Sequence, residues 1–425
     1  MEFAIERPAR KLLFAAVVFG LAGAYLDLVS VRLVASSLGD VNDEAHLTRA
    51  VTLDPANAEY AARLASFELV VRQSPQAALP WLQFATTLNP LKARYWVELA
   101  LAHQSSGDID NEKHDLAMAL VASPRDPEIT WEVANLFLAQ GSLDEAMKSF
   151  HLVMQNSPPL VPAAIQTCWK VRPEIDFLLE RVVPPAADEG FLIFLTSRNE
   201  TAAAANVWSR MYSLRQPISR PHLFEYVQYL VAHRQPSEAA VVWRQAAEMS
   251  ELAAYQPSSE NLLVNGDFSL DILNGGFDWL HQKIRGVSLA LDPNETHSGS
   301  RSLRIVFDGA GIDDAGIRQI VPVDPNTEYE FSAFFKAQEM DGAGGARFAI
   351  QDLYRETTFL MTDELRDADF WKKTGGRFVT SAETHMLVVR IARVPSGSPI
   401  RGKLWIDGLQ LVPHERGTTA KLERQ

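Results

Sequence analysis

The residue types that carry chemistry are present in this chain, but not at the spacings that catalysis uses. Its ten histidines are scattered, with no H-E-x-x-H pair that would set two imidazoles on one helical face for zinc. No G-x-S-x-G elbow offers a serine nucleophile. Gly342, Gly344 and Gly345 lack the following lysine and helix of a phosphate loop and read as a turn. Asp313 with Asp314, and Asp363 with Glu364, Asp367 and Asp369, form acidic clusters. A glycosidase needs two carboxylates facing each other across a cleft, and sequence alone does not pair these, so they read as solvated loops. The single cysteine, Cys168, cannot form an intrachain disulfide. It sits among Ala163, Ala164, Ile165 and Trp169 with no close cation to hold a thiolate, so it reads as a buried small residue. A non-catalytic protein is expected.

At 425 residues the chain is long enough for two or three folded units. With 47% hydrophobic and 22% charged residues it has the composition of a folded protein. The formal net charge is −13. From Asn261 onward there are 23 acidic and 19 basic residues, and before it 30 and 21. Neither part has the basic excess that displaces counterions from phosphates, so nucleic acid is not an expected partner.

Leu12 to Leu26 is an uncharged run of fifteen residues behind Arg7, Arg10 and Lys11, and apolar residues continue to Val34 around Asp27 and Arg32. The basic flank, residues 1–11, should remain cytoplasmic and send the rest outward. Residues 12–34 therefore read as a membrane anchor or a signal segment, with an A-x-A-like site at Ala22-Gly23-Ala24. The uninterrupted helical pattern beyond Ala24 favours an uncleaved single-pass anchor in a bacterial inner membrane, with the bulk of the chain in the periplasm. Asp27 within the run argues the other way.

The positioning elements follow from a period. Pro55, Pro90, Pro124 and Pro158 are spaced 35, 34 and 34 residues apart, the length of a stacked helical hairpin. Ahead of each lies a second-helix pattern: Leu47, Ala50; then Ala78, Leu82, Ala85; then Glu112, Leu116, Ala119; then Ala146, Phe150, Val153. Steps of four and three place these on one face. First helices carry Tyr60, Tyr95 with Trp96, and Trp131, and Gly107 and Gly141 mark the inner turns. This stretch, residues 35–158, resembles the tetratricopeptide repeat family, although Glu112 and Asp43 stand where that family prefers small residues. The resemblance implies an α-solenoid whose groove holds protein partners. Residues 159–254 read as two further degenerate hairpins, with Ala204-Ala205-x-Val207-Trp208 echoed by Ala239-Ala240-x-Val242-Trp243. Both tryptophans are expected to pack between helices.

After a linker at 255–260 the period shortens to two. Val287, Leu289 and Leu291 alternate, as do Leu303, Ile305 and Phe307, and Tyr329, Phe331 and Ala333, which predicts an antiparallel β-sandwich over 261–413, followed by a tail, 414–425. The strings NLLVNGDFS, GFDW, HSGSRSLRIVF and GKLWIDGLQL, in that order, resemble the galactose-binding-like jelly rolls of carbohydrate-binding modules. That resemblance implies a structural calcium held by Asp267 and Asp407, although Ser269 replaces the usual glutamate. It also implies a sugar platform from Trp371, Tyr354 and Trp279 with Gln351, Asp352 and Arg355 as polar companions. Alternation equally allows Trp279 and Trp405 to face the core. The sequence thus predicts a multidomain α plus β protein, an adaptor for protein partners and for glycan or a second protein, with surface polysaccharide export or assembly as a setting. A purely structural assembly factor and a glycan-processing enzyme are the competing classes.

Overall fold

The computed structural model describes residues 8–366 and 368–414; Arg7, Asp367 and the tail from 415 fall outside them. The chain divides into two compact units, Met1–Phe194 and Leu195–Gln425.

The first unit begins with α1 (Pro8–Gly39), a 32-residue helix. Its residues from Leu12 to Val34 are almost all exposed, and it is long and apolar enough to cross a membrane. The helix does not stop at residue 34. Ala35 is fully buried, and Gly39 lies so close to Tyr60 that a methyl group there would sit 2.5 Å from Cε1 of the ring. The last turns of α1 therefore serve as the first helix of the first hairpin, paired with α2 (Glu44–Leu53). Then follow the hairpins α3 (Ala58–Val70) with α4 (Pro75–Leu88), α5 (Ala93–Ser106) with α6 (Ile109–Ala122), and α7 (Pro127–Gln140) with α8 (Leu143–Asn156).

Local rules set each boundary. Asp43, Asn57, Asp108 and Asp126 cap helix N-termini by accepting backbone N–H groups. Asp43, out of place as a repeat residue, is thus accounted for as a cap. Gly107 and Gly141 end α5 and α7 at φ +76° and +83°, a conformation that is unstrained for glycine. Pro55, Pro90, Pro124 and Pro158 each follow the C-cap residue of a second helix, where no backbone donor is needed. The buried stripes are those of the period: Leu47 and Ala50, Leu82 and Ala85, Leu116 and Ala119, Phe150 and Val153, none more than 1% exposed. Each such leucine contributes roughly 1.5–3 kcal/mol by leaving water. Beyond these lie α9 (Val161–Val171), α10 (Ile175–Arg181) and α11 (Asp188–Ser197). Cys168 on α9 is fully buried, and desolvation pushes its thiol up to about 12.

The second unit joins helices and sheets. α12 (Thr201–Ser213), α13 (Arg220–Ala232) and α14 (Pro236–Met249) precede ten strands among the described residues. Residues 159–254 thus supply α9 to α14, more helix than two hairpins. Trp208, 4% exposed, packs between helices against Tyr226 as its spacing predicts, whereas Trp243, 1% exposed, meets both Phe224 of α13 and Phe277 ahead of the strands. One sheet has the order β1 (Leu280–His281), β4 (Asp314–Pro322), β9 (Met386–Val394), β6 (Gly345–Asp352), β7 (Thr358–Met361). The other has β2 (Val287–Asp292), β3 (Ser302–Gly311), β10 (Pro399–Pro413), β5 (Glu328–Asp341), β8 (Ala368–Val379). All pairings are antiparallel. Their inner faces share one core that includes Leu303, Ile305, Phe331, Phe335, Phe348, Val389 and Ile406.

The change of composition at 255–260 is not a structural break. The Trp243 indole donates to the carbonyl of Tyr255 at 2.9 Å, and the Tyr255 hydroxyl donates to the carbonyl of Asp271 at 2.8 Å. Gly275 and Gly276 lie directly against Phe224 and Trp243, where any side chain would collide.

Candidate functional site

In the first unit α3, α5 and α7 contact one another in turn and carry a cross-linked row of polar side chains. The Tyr95 hydroxyl donates to Glu59 at 2.8 Å, and Glu59 also accepts from Arg63 at 3.1 Å. Ser66 donates to Glu98 at 3.0 Å, and Arg94 donates to Glu132 at 2.6 Å. Burial raises the pKa of Glu98, with Ser66 and Arg94 opposing. Burial and the Glu59 carboxylate together raise that of Tyr95. The row spans three repeats, keeps about a third or more of the Arg94 and Glu132 side chains exposed, and offers donors and acceptors of both signs. Only the aromatic anchors of this row were legible as a pattern. The charged positions do keep the repeat spacing, Glu59 to Arg94 at 35 residues and Arg63, Glu98 and Glu132 at 35 and 34, but their sign varies from repeat to repeat.

The second helical layer holds a polar exception to the buried stripe. Glu112, 3% exposed, accepts from Gln104 at 2.9 Å, and beside it His103 and Asp115 are 2.7 Å apart in a buried pair. Hydrogen bonding replaces the small side chain expected at this position.

In the sandwich, the six residues expected to hold sugar are not gathered on one open face. Trp279 is 1% exposed, donates its indole N–H to the carbonyl of Asn265 at 3.1 Å and lies against Phe268, so no ring can stack on it. Tyr354 donates its hydroxyl to the carbonyl of Val231 at the end of α13, 2.8 Å away, with the Arg234 guanidinium 5.5 Å from its ring. Its phenol is engaged with the helices. Asp352 is 4% exposed and accepts from Tyr354 N and from Thr384 Oγ1. Gln351 bridges Thr358 and Arg390, both at 2.9 Å. Arg355 pairs with Glu383.

Trp371 is half-buried. It meets His297 edge to face at 5.7 Å, and His297 stacks on Phe334 at 3.6 Å. Beneath the same loop Lys336 pairs with Glu295 at 2.9 Å, and Trp405, 5% exposed, donates to Asp292 at 3.0 Å. Phe370, next to Trp371, is 85% exposed. His297 and Phe334 went unnoticed in the sequence because they serve strand and turn patterns; only the register, which sets Phe334 opposite Lys373 and Asp407, brings them beside Trp371. A polar cleft of about 400 Å³ is lined by residues of β5 and β8, including Lys372 and Thr374, and by Asp363 and Glu364. There Glu364 is committed to Arg347 at 3.0 Å and Arg366 at 3.5 Å.

The residues present do not fit a calcium ion. Both oxygens of Asp407 are taken: one by the backbone N–H of His297 and Ser298 at 2.6 and 2.8 Å, the other by Ser298 Oγ at 2.7 Å and Gly408 N at 2.6 Å. Asp267 accepts from Ser269 N and Oγ. N–H groups aimed at a carboxylate occupy the lone pairs a hard cation would need. Among the described residues no three His, Cys, Asp or Glu side chains converge. A guanidinium supplies positive charge instead: Arg301 donates to the Ser269 carbonyl and to Asp271, each at 2.8 Å.

No protein-family model matches the sequence, and no curated protein matches it. Solved structures share parts of it. The CBM22-1–GH10 modules of Clostridium thermocellum xylanase 10B, complexed with xylohexaose, are 14% identical over 37% of this chain with a TM-score of 0.26, and the match spans 29% of their own length. MamA is 20% identical over 37% of this chain and 98% of its own, TM-score 0.27. A thermophilic TPR protein of Thermus thermophilus is 22% identical over 30% of this chain and 71% of its own, TM-score 0.27.

Proposed function

We propose that this chain is a non-catalytic scaffold, tethered to a membrane through α1, that docks a protein partner on the face built by α3, α5 and α7. The bulk of the chain lies on the periplasmic side of a bacterial inner membrane, and surface polysaccharide export or assembly is a setting that suits it. The observation that carries the reading is the row Glu59–Tyr95, Ser66–Glu98, Arg94–Glu132, which fixes donors and acceptors across three repeats at the rigidity of the helices themselves. A preorganised polar row lowers the ordering cost of binding an extended segment. The sandwich adds a second contact, a glycan or another protein, at the face around Trp371, His297 and Phe370.

Site-specific photocrosslinking from position 101 of α5 tests the first contact. One defined partner should be captured, and its yield should fall at least about tenfold with Arg94→Glu, a loss of one charge-assisted hydrogen bond. Equal capture by both proteins would remove the proposal. For the second contact, the full chain in detergent is applied to a glycan array with and without Trp371→Ala. Signal that depends on Trp371 supports sugar binding. No signal leaves the competing reading, a purely structural assembly factor, which the enclosed Trp279 and Trp405 and the helix-bound Tyr354 favour.

A further inference from the structure

The inter-repeat loops of the first unit form one edge, and α1 fixes where that edge lies. From Arg32 to Gly39 the helix rises ~10 Å, and α2, 10 residues long, runs back ~15 Å beside it. Asp54, the C-cap of α2, therefore returns to the level of Arg32, where the apolar run of α1 ends. Repetition of the hairpin brings the α4–α5 loop (Asn89 to Lys92) and the α6–α7 loop (Ser123 to Asp126) to the same edge. Read with α1 as a membrane span, this edge lies at the bilayer surface.

Two independent features of the edge match that location. Leu91 is 76% exposed and Val121 71%, apolar side chains with no packing role in the repeat, and Lys92 and Arg125 stand beside them. The edge also contains a cavity of about 560 Å³ whose polar lining includes Arg32, Asp54, Asn57, Glu59, Asn89 and Lys92. Among the described residues Arg32, Asp54, Asn89 and Lys92 make no side-chain hydrogen bond or ion pair, whereas the Glu59 carboxylate in the same wall is already held by Tyr95 and Arg63. Two cations, one carboxylate and an amide without hydrogen-bond partners thus line a polar cavity at the end of α1.

We propose that this cavity receives the headgroup of a phosphoethanolamine phospholipid from the leaflet beside it, while Leu91 and Val121 enter the acyl boundary. Arg32 and Lys92 neutralise the phosphate, and the Asn89 amide donates to its oxygens. Asp54 accepts from the primary ammonium, which has three N–H donors; a choline headgroup has none. The bound lipid sets the orientation of the solenoid on the membrane and so the direction in which the α3–α5–α7 face is presented. The proposal rests on the membrane-anchor reading of α1.

The test uses the full chain in nanodiscs made from equal amounts of phosphatidylethanolamine and phosphatidylcholine. After release into mild detergent, retained lipid is identified by native mass spectrometry. The wild type should keep phosphatidylethanolamine over phosphatidylcholine by about tenfold, and Lys92→Ala and Asn89→Asp, both loop positions, should each abolish most of that preference. Equal retention of the two lipids, or an unaltered preference in both variants, would overturn the proposal. So would tight retention of free O-phosphoethanolamine without any lipid preference, which assigns the cavity to a soluble source. Alkaline carbonate extraction separates the two readings: release of the chain from membranes removes the anchor and this site together, whereas an embedded chain with no headgroup preference removes the site alone.

Discussion

At the scale of single residues, the most consequential side chain is one whose burial the sequence could not disclose. Asp278 is fully buried; one carboxylate oxygen accepts from Leu273 N at 2.7 Å and the other has no partner. Burial raises its pKa from 3.8 to about 6, with the Leu273 N–H and the nearby N–H groups of Trp279 and Asn265 opposing. A carboxyl whose folded pKa is raised adds stability that is fully present below the unfolded value near 3.8 and is lost as pH rises through about 6. At pH 7.5 the charged form costs the fold up to about 3 kcal/mol. Asp278→Asn should raise the chemical-denaturation stability of the second unit by about 1–3 kcal/mol at pH 7.5 and by little at pH 4. Equal effects at the two pH values would rule out titration of Asp278 as the cause. In the sequence this residue reads only as part of the string GFDW.

At the scale of elements, the parts with a short period were the legible ones. Proline after each second-helix cap, glycine after α5 and α7, and the Leu–Ala or Phe–Val stripes all follow from local geometry, and they fixed α2 to α8. Strand alternation did the same for β2, β3 and β5. The sugar and calcium residues were carried by resemblance, and their surroundings depend on pairings across more than a hundred residues, such as Asp407 with His297 and Ser298, which no local pattern encodes. Two measurements follow. Leu82→Ala, at a fully buried position of α4, should cost about 2–5 kcal/mol in the first unit; a cost below about 1 kcal/mol would mean the hairpin stack is loosely packed. In the sandwich, the loop at 297–301 is closed by Arg301 and by donors to Asp407. Chelation by EDTA or addition of calcium should therefore leave the melting temperature unchanged, while Arg301→Ala lowers it. A melting temperature that falls with EDTA and recovers with calcium would restore the ion to this site.

At the scale of the whole molecule, the boundary that matters is not the one composition draws. The sequence changes character at 255, yet α12, α13 and α14 belong with the sandwich in Leu195–Gln425. The reason is the fit of Phe224 and Trp243 against Gly275 and Gly276, with Gly276 at φ +61°, a backbone conformation that resists substitution. Trp243 meets Phe277 at 6.1 Å and Phe224 at 6.0 Å and is 1% exposed, so it ties helix and sheet into one core. Helices and strands of this unit should consequently melt together. In calorimetry of the chain, Trp243→Ala should lower one transition by about 3–5 kcal/mol and leave the transition of the first unit in place. Circular dichroism should show helical and strand signals of the affected transition lost at the same temperature. Were the strands to persist after those helices had melted, the sandwich would be an independent module, and a separable sugar-binding domain would become the stronger account of residues 261–413.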